Sequence, residues 1–160
     1  MKTLASDSYN IAWFKLADFV ARGEKERALS VLRLLMHSVC DEALTYQLEG
    51  DILLAFNDQS AMDRYYTAAH IYQKNGKFQQ AICIYQQAFT RTQEEKILQN
   101  LLEIYLFLNH KAGIIKSFAQ LAKLSIEKKN SEELMTYIQN ISEKYDINRQ
   151  IILYSQLVIS

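Results

Sequence analysis

Residues 65–88 read YYTAAHIYQKNGKFQQAICIYQQA, and this stretch decides the fold. Apolar side chains recur in it at spacings of three and four, the period of an amphipathic helix. Gly76, following Asn75, interrupts the pattern where a left-handed residue can end a helix. Small and aromatic residues stand on both sides of that break: Ala69 and Tyr72 before it, Ala81, Tyr85 and Ala88 after it. Alanine at a crossing point lets two helices approach closely, and an aromatic one turn away fills the gap beside it. The stretch therefore reads as a helical hairpin. A lone hairpin leaves an apolar face exposed, which is why such units come in series.

The rest of the chain agrees with a helical reading. Its 160 residues can bury a sizeable core without disulfides or a metal. With 49% apolar and 22% charged residues, disorder is excluded for the chain as a whole. There is no proline and there are 4 glycines, too few for the tight turns of an all-β protein. The 18 basic and 18 acidic side chains cancel, whereas a dedicated nucleic-acid binder carries a basic excess. Cys40 and Cys83 are too few for a disulfide framework and form no CxxC. Among apolar helical neighbours they read as buried free thiols of a reducing compartment. The opening MKTLASDSYNIAWFK is interrupted by Asp7, Ser8 and Asn10 and does not read as a signal peptide. The longest apolar stretch, residues 97–108, contains Gln99, Asn100 and Glu103 and is too short to span a bilayer. A soluble cytoplasmic protein without membrane insertion is expected.

Helix-start chemistry marks several breaks. Ser60 with Asp63, and Thr92 with Glu95, have capping-box spacing. Asn130 or Ser131, ahead of Glu132 and Glu133, opens another helix, and Asp146 opens the last. Gly23, Asn57, Gly76 and Asn109 end helices. The pattern predicts nine helices, over residues 8–22, 25–38, 42–56, 60–75, 77–91, 94–109, 112–128, 132–145 and 147–159, and no strand. Links this short make neighbouring helices antiparallel. Nothing resembles a linker, so residues 1–160 are read as a single domain.

Sliding the sequence by 34 places Leu16 on Gly50, Phe19 on Leu53, Gly23 on Asn57, Ala28 on Met62 and Leu32 on Tyr66. A second phase, at a step of 33, carries Tyr72 to Tyr105 and Ile138, and Tyr85 to Phe118 and Ile151. Several such rows with turn residues in register indicate helical-hairpin repeats. On these residues the chain resembles the tetratricopeptide-repeat (TPR) superfamily. Residues 65–88 carry the family's small and aromatic positions as Ala69, Tyr72, Ala81, Tyr85 and Ala88. Residues 48–69 resemble the motif through Gly50, Leu53, Tyr66 and Ala69, and residues 16–35 through Gly23 and Ala28. The resemblance covers about residues 9–90. It implies an all-α, right-handed α-solenoid of antiparallel hairpins, about four TPR-like repeats plus a C-terminal helix. Two departures stand out. No proline closes any repeat, and beyond residue 90 the small residues give way to Ile and Leu, which predicts wider or less regular packing there.

No motif points to catalysis. The glycines are isolated and form no phosphate loop. His37 and Cys40, followed by Asp41 and Glu42, have weak metal-ligand spacing and no second ligand pair. His70, beside Ala68, Ala69 and Tyr72, reads as a packed or rim histidine, and Cys83 has no nucleophile signature. His110 sits at a helix end, where its charge suits the C-terminal dipole. The pairs Glu94–Glu95 and Glu132–Glu133 open helices. Tyr66, Tyr72, Tyr85 and Tyr105 fall on repeat-core rows rather than on a stacking platform for nucleic acid. Charge is unevenly placed: residues 41–63 hold six acids and no Lys or Arg, while residues 111–129 hold five lysines and one acid, Glu127. The expectation is a non-enzymatic protein with no cofactor, no metal and no nucleic-acid partner.

The TPR resemblance implies that a protein or peptide partner binds the inner, concave surface. In the 34-residue phase the inward side chains are Asn10, Trp13, Ala17, Gln47, Asp51, Gln80, Gln87, Arg91, Lys116 and Lys123. The other phase places Tyr66, His70 and Gln99 there instead. Amides can bond an extended partner backbone, and Trp13 either anchors an apolar partner side chain or packs under the N-terminal end. Trp13 and Ala17 stand where the family's chaperone-tail binders carry Lys and Asn, so a carboxylate clamp is not expected. The function expected is an adaptor or scaffold; the alternative is a dedicated cytosolic chaperone.

In the last predicted helix, Ile147, Ile151, Tyr154 and Val158 form a stripe that can cover the preceding hairpin. Ile152, Leu153, Leu157 and Ile159 widen the apolar surface beyond it, although a terminal solenoid helix needs a polar outer face. These four are expected to meet another subunit, a partner or a following helix of a longer chain. The alternative is a helix lying sideways across the end and burying both faces.

Overall fold

Each break between helices is closed by one residue in the left-handed region. These are Gly23, Cys40, Asn57, Gly76, Gln93, Asn109 and Lys129, with φ between 49° and 77°. At five of them the next amide reaches back to a carbonyl of the finished helix: Glu24 to Phe19, Asp58 to Leu53, Lys77 to Tyr72, His110 to Tyr105 and Asn130 to Ser125, at 2.8–2.9 Å. That bond satisfies one of the carbonyls a helix end leaves open. Gly76 adopts φ 72° without the Cβ penalty that Gln93 and Lys129 carry.

The computed structural model describes residues 3–37 and 39–145, with side chains from 10 to 144. Among the described residues all regular structure is α-helix: α1 (Thr3–Ala21), α2 (Lys25–Met36), α3 (Glu42–Ala55), α4 (Ala61–Lys74), α5 (Phe78–Thr92), α6 (Glu95–Phe107), α7 (Lys111–Glu127) and α8 (Ser131–Tyr145). The first helix begins at Thr3 rather than at residue 8. The predicted helix over 147–159 and its opening Asp146 lie outside the described residues. By its contacts the chain groups into two compact units, Met1–Ile84 and Tyr85–Ser160, the division falling inside α5.

In the first unit, α1 packs on α2, α2 on α3 and α3 on α4. The core gathers Leu16, Ala28, Leu32, Leu35, Ile52 and Leu53, with Trp13 and Phe19 partly buried against it. The α3–α4 crossing is close. A Cβ on Gly50 would lie 2.9 Å from the Tyr65 ring and 3.3 Å from the Ala61 carbonyl. Tyr65 has no exposed surface, and its hydroxyl donates to Asp51 at 2.7 Å. The 34-residue slide puts Tyr66 on this core row; the structure buries Tyr65 there and leaves Tyr66 half-buried. Glu49, also buried, binds Arg33 of α2 at 3.2 Å and Arg64 of α4 at 3.3 Å, so one carboxylate ties three helices.

Two expected caps are corrected. Ser60 makes no side-chain cap of α4. Its amide and hydroxyl instead donate to Asp58, which also accepts from Lys25 at 2.9 Å. The Ser60 hydroxyl first, then Lys25, hold the Asp58 carboxyl well below the usual carboxylate range, and Asp58 raises Lys25 in turn. Thr92 belongs to the last turn of α5 and donates to the Ala88 carbonyl; α6 starts behind Glu94, which makes no side-chain cap. Asp41 does cap its helix, α3, accepting from the Leu44 amide at 3.0 Å. Cys40 and Cys83 are exposed, not buried: one lies in the turn before α3, the other on the outer side of α5.

In the second unit, α6 packs on α7 and α7 on α8. Ile97, Leu98, Leu102, Phe118 and Leu121 are buried with Leu134, Ile138 and Ile141 of α8. The expectation of wider packing here is overturned for the α6–α7 crossing. Gly113 sits so close under the Tyr105 ring that a Cβ would overlap it, and Ser117, Ala122 and Ser125 are buried along the same helix. His110 is also corrected. Its side chain caps the start of α7 rather than the end of α6, Nδ1 accepting from the Gly113 amide at 3.0 Å. Its ring lies tilted against Tyr105, centroids 5.3 Å apart.

Candidate partner-binding surface

Along α1, Trp13, Leu16 and Val20 recur at spacings of three and four and turn toward Leu32 of α2 and Leu48 and Ile52 of α3. Between them lies an apolar cavity of about 160 Å³, open at one side. Trp13 is half-buried and packs against the core, so it is both a wall of this notch and a support of the fold. Asp51 stands at its edge, with one oxygen accepting from Tyr65. Gln47, one turn earlier on α3, accepts from the Tyr72 hydroxyl at 3.4 Å. Burial pushes the Tyr72 hydroxyl above its ordinary pKa, and the nearby Asp41 carboxylate adds to this. Asn10, Ala17 and Gln80 are exposed.

In the second unit, Gln87 and Arg91 are exposed on α5, and Lys116 and Lys123 on α7. Tyr85 is buried, and that burial, with Glu103 beside it, raises its hydroxyl's pKa. Of the residues from the other repeat phase, His70 is exposed and Tyr66 and Gln99 are half-buried, the Gln99 carbonyl accepting from Tyr137 at 3.1 Å. Ile152, Leu153, Leu157 and Ile159 lie outside the described residues. No group of three or more His, Cys, Asp or Glu is gathered among the described residues, and none of the described helices is long and apolar enough to cross a membrane.

Sequence reasoning passed over the Glu49 ion cluster and a set of exposed apolar residues, including Phe14 and Leu34 in the first unit and Phe107, Ile115 and Ile126 in the second. The signal for the last two was in the spacing of α7, where Ile115, Ala119 and Ile126 fall on one side of the helix. Compared with known proteins, the chain matches no family model and no curated protein.

Proposed function

We propose that this chain is a non-enzymatic, cytoplasmic interaction module, a TPR-like right-handed solenoid that holds a segment of a partner protein. The observation that carries the reading is the apolar notch beside Trp13, with a carboxylate at its edge. An apolar space of about 150 Å³ takes a benzene-sized group, so the notch suits one Leu or Phe side chain of an otherwise polar segment. The two close glycine–tyrosine crossings support the repeat reading, as does the spacing of left-handed residues, 34 from Gly23 to Asn57 and 33 from Gly76 to Asn109. The exposed Ile11, Phe14 and Leu34 favour a second reading, a chaperone that covers apolar surface of an unfinished client.

Partners captured from the native cell should be titrated against the parent and an Ala55→Phe variant. Ala55 is exposed and lines the notch, so the larger side chain fills it from the solvent side. Binding lost with an unchanged melting temperature supports the reading. Unchanged binding overturns the notch as the site. A single stoichiometric client that aggregates alone identifies a chaperone, and several folded partners identify an adaptor.

A further inference from the structure

Helix α7 has two apolar sides. Gly113, Ile114, Ser117, Phe118, Leu121, Ala122 and Ser125 face its neighbours and are buried. On the opposite side Ala112, Ile115, Ala119 and Ile126 are exposed, spaced so that they form one stripe along the helix. Ile115 is 65% exposed and Ile126 46%. Ala119 between them and Ala112 ahead of them keep the stripe low, so another helix can approach its backbone closely. Lys116 and Lys123 run along one edge of the stripe and are exposed. Lys116 makes no ion pair among the described residues, and Lys123 meets only Glu127, at 3.9 Å with both groups largely in water, a contact that binds its charge weakly.

Resting on the interaction reading above, we infer that this outer face of α7 docks an acidic amphipathic helix of a partner protein. The apolar stripe takes the partner's apolar residues at helical spacing, and the two lysines meet Glu or Asp one turn to the side. The 17 residues of α7 span about 25 Å, the length of a four- to five-turn partner helix. Charge decides the class of partner. Lys116 and Lys123 stand along that edge with one acid, Glu127, so a basic helix would meet net repulsion there. Nucleic acid would leave Ile115 and Ile126 without contacts of their own kind.

The test uses two 18-residue peptides that share a leucine stripe at helical spacing, one with glutamates and one with lysines beside it. Binding is followed by fluorescence anisotropy, and the site by amide NMR shifts of the full chain. The glutamate peptide should bind more tightly and move the signals of residues 112–126. Lys116→Glu with Lys123→Glu should weaken it about tenfold and reverse the preference between peptides. Ile115→Ala with Ile126→Ala should weaken both peptides. Equal binding of the two peptides overturns the inference, as do signals that move elsewhere, or a dimer of the parent chain that already protects α7. Both double variants change solvent-facing residues, and thermal melting checks that they fold. Should α7 fail while Ala55→Phe still abolishes partner binding, the interaction reading stands without this strip.

Discussion

The α3–α4 and α6–α7 hairpins solve one packing problem with the same two residues in opposite order. In the first, glycine leads and tyrosine follows: Gly50 under Tyr65. In the second, tyrosine leads and glycine follows: Tyr105 over Gly113. A flat ring needs a helix surface without a Cβ, and either helix can supply it. Their surroundings differ. Tyr65 is wholly buried and its hydroxyl is held by Asp51. Tyr105 is half-buried, its hydroxyl accepts from Gln86 at 3.1 Å, and its ring leans on His110. The depth of a contact, more than its closeness, sets how much it can yield.

The sharpest way to break this comparison is to add the missing methyl groups. Gly50→Ala should destabilise by about 2–3 kcal/mol despite alanine's better helix propensity, because Tyr65 has nowhere to move. Gly113→Ala should cost less, about 1 kcal/mol, with Tyr105 swinging toward solvent and releasing His110. Urea unfolding measures both, and a larger loss at Gly113 would reject the depth argument. Next in size is the hydroxyl. Tyr65→Phe should cost about 1 kcal/mol, since it removes a buried bond to a carboxylate, while Tyr105→Phe should change stability by less than about 0.5 kcal/mol.

The helix caps offer a second comparison. Asp41 caps α3 and His110 caps α7. The Leu44 amide, then Lys77, hold the Asp41 carboxyl below its usual value, against the opposing effect of its burial. A lowered folded-state value means that this cap's stability is full above the ordinary carboxylate pKa, about 3.9, and fades as pH falls through the lower folded value. Amide exchange at Leu44 should therefore quicken as pH falls through the range below the ordinary carboxylate value, and Asp41→Asn should remove that dependence. His110 caps α7 through a neutral partner instead, its Nδ1 accepting from the Gly113 amide at 3.0 Å. Removing either cap with alanine should cost about 1 kcal/mol.

The turns offer a further contrast. Asn57 tolerates its φ of 54°, so Asn57→Gly should be near neutral, whereas Lys129, at φ 56°, carries a Cβ penalty. Lys129→Gly should stabilise by about 0.5–1 kcal/mol in thermal melting.

Much of the fold was legible in the residues. The eight described helices match the first eight expected ones closely, and Gly23, Asn57, Gly76 and Asn109 stand at left-handed ends as read. The turns at Cys40, Gln93 and Lys129 gave no such sign, because flanking helices can force any residue into that conformation. The candidate site was less legible. Lys116 and Lys123 are exposed on one face, but Gln47 and Asp51 bond to tyrosines of α4, and Trp13 leans on the core.

Helix period, hairpin spacing and most helix ends were determined by the sequence alone, because each depends on backbone conformation and neighbours within four residues. Only the tertiary structure decided that Tyr65 rather than Tyr66 is core, that His110 opens a helix, that Glu49 binds two arginines and that both cysteines face water. Adjacent positions on a helix point about 100° apart, so a shift of one residue in how two helices meet exchanges a buried side chain for an exposed one. That choice lies in the packing partner, which periodicity along a single helix does not contain.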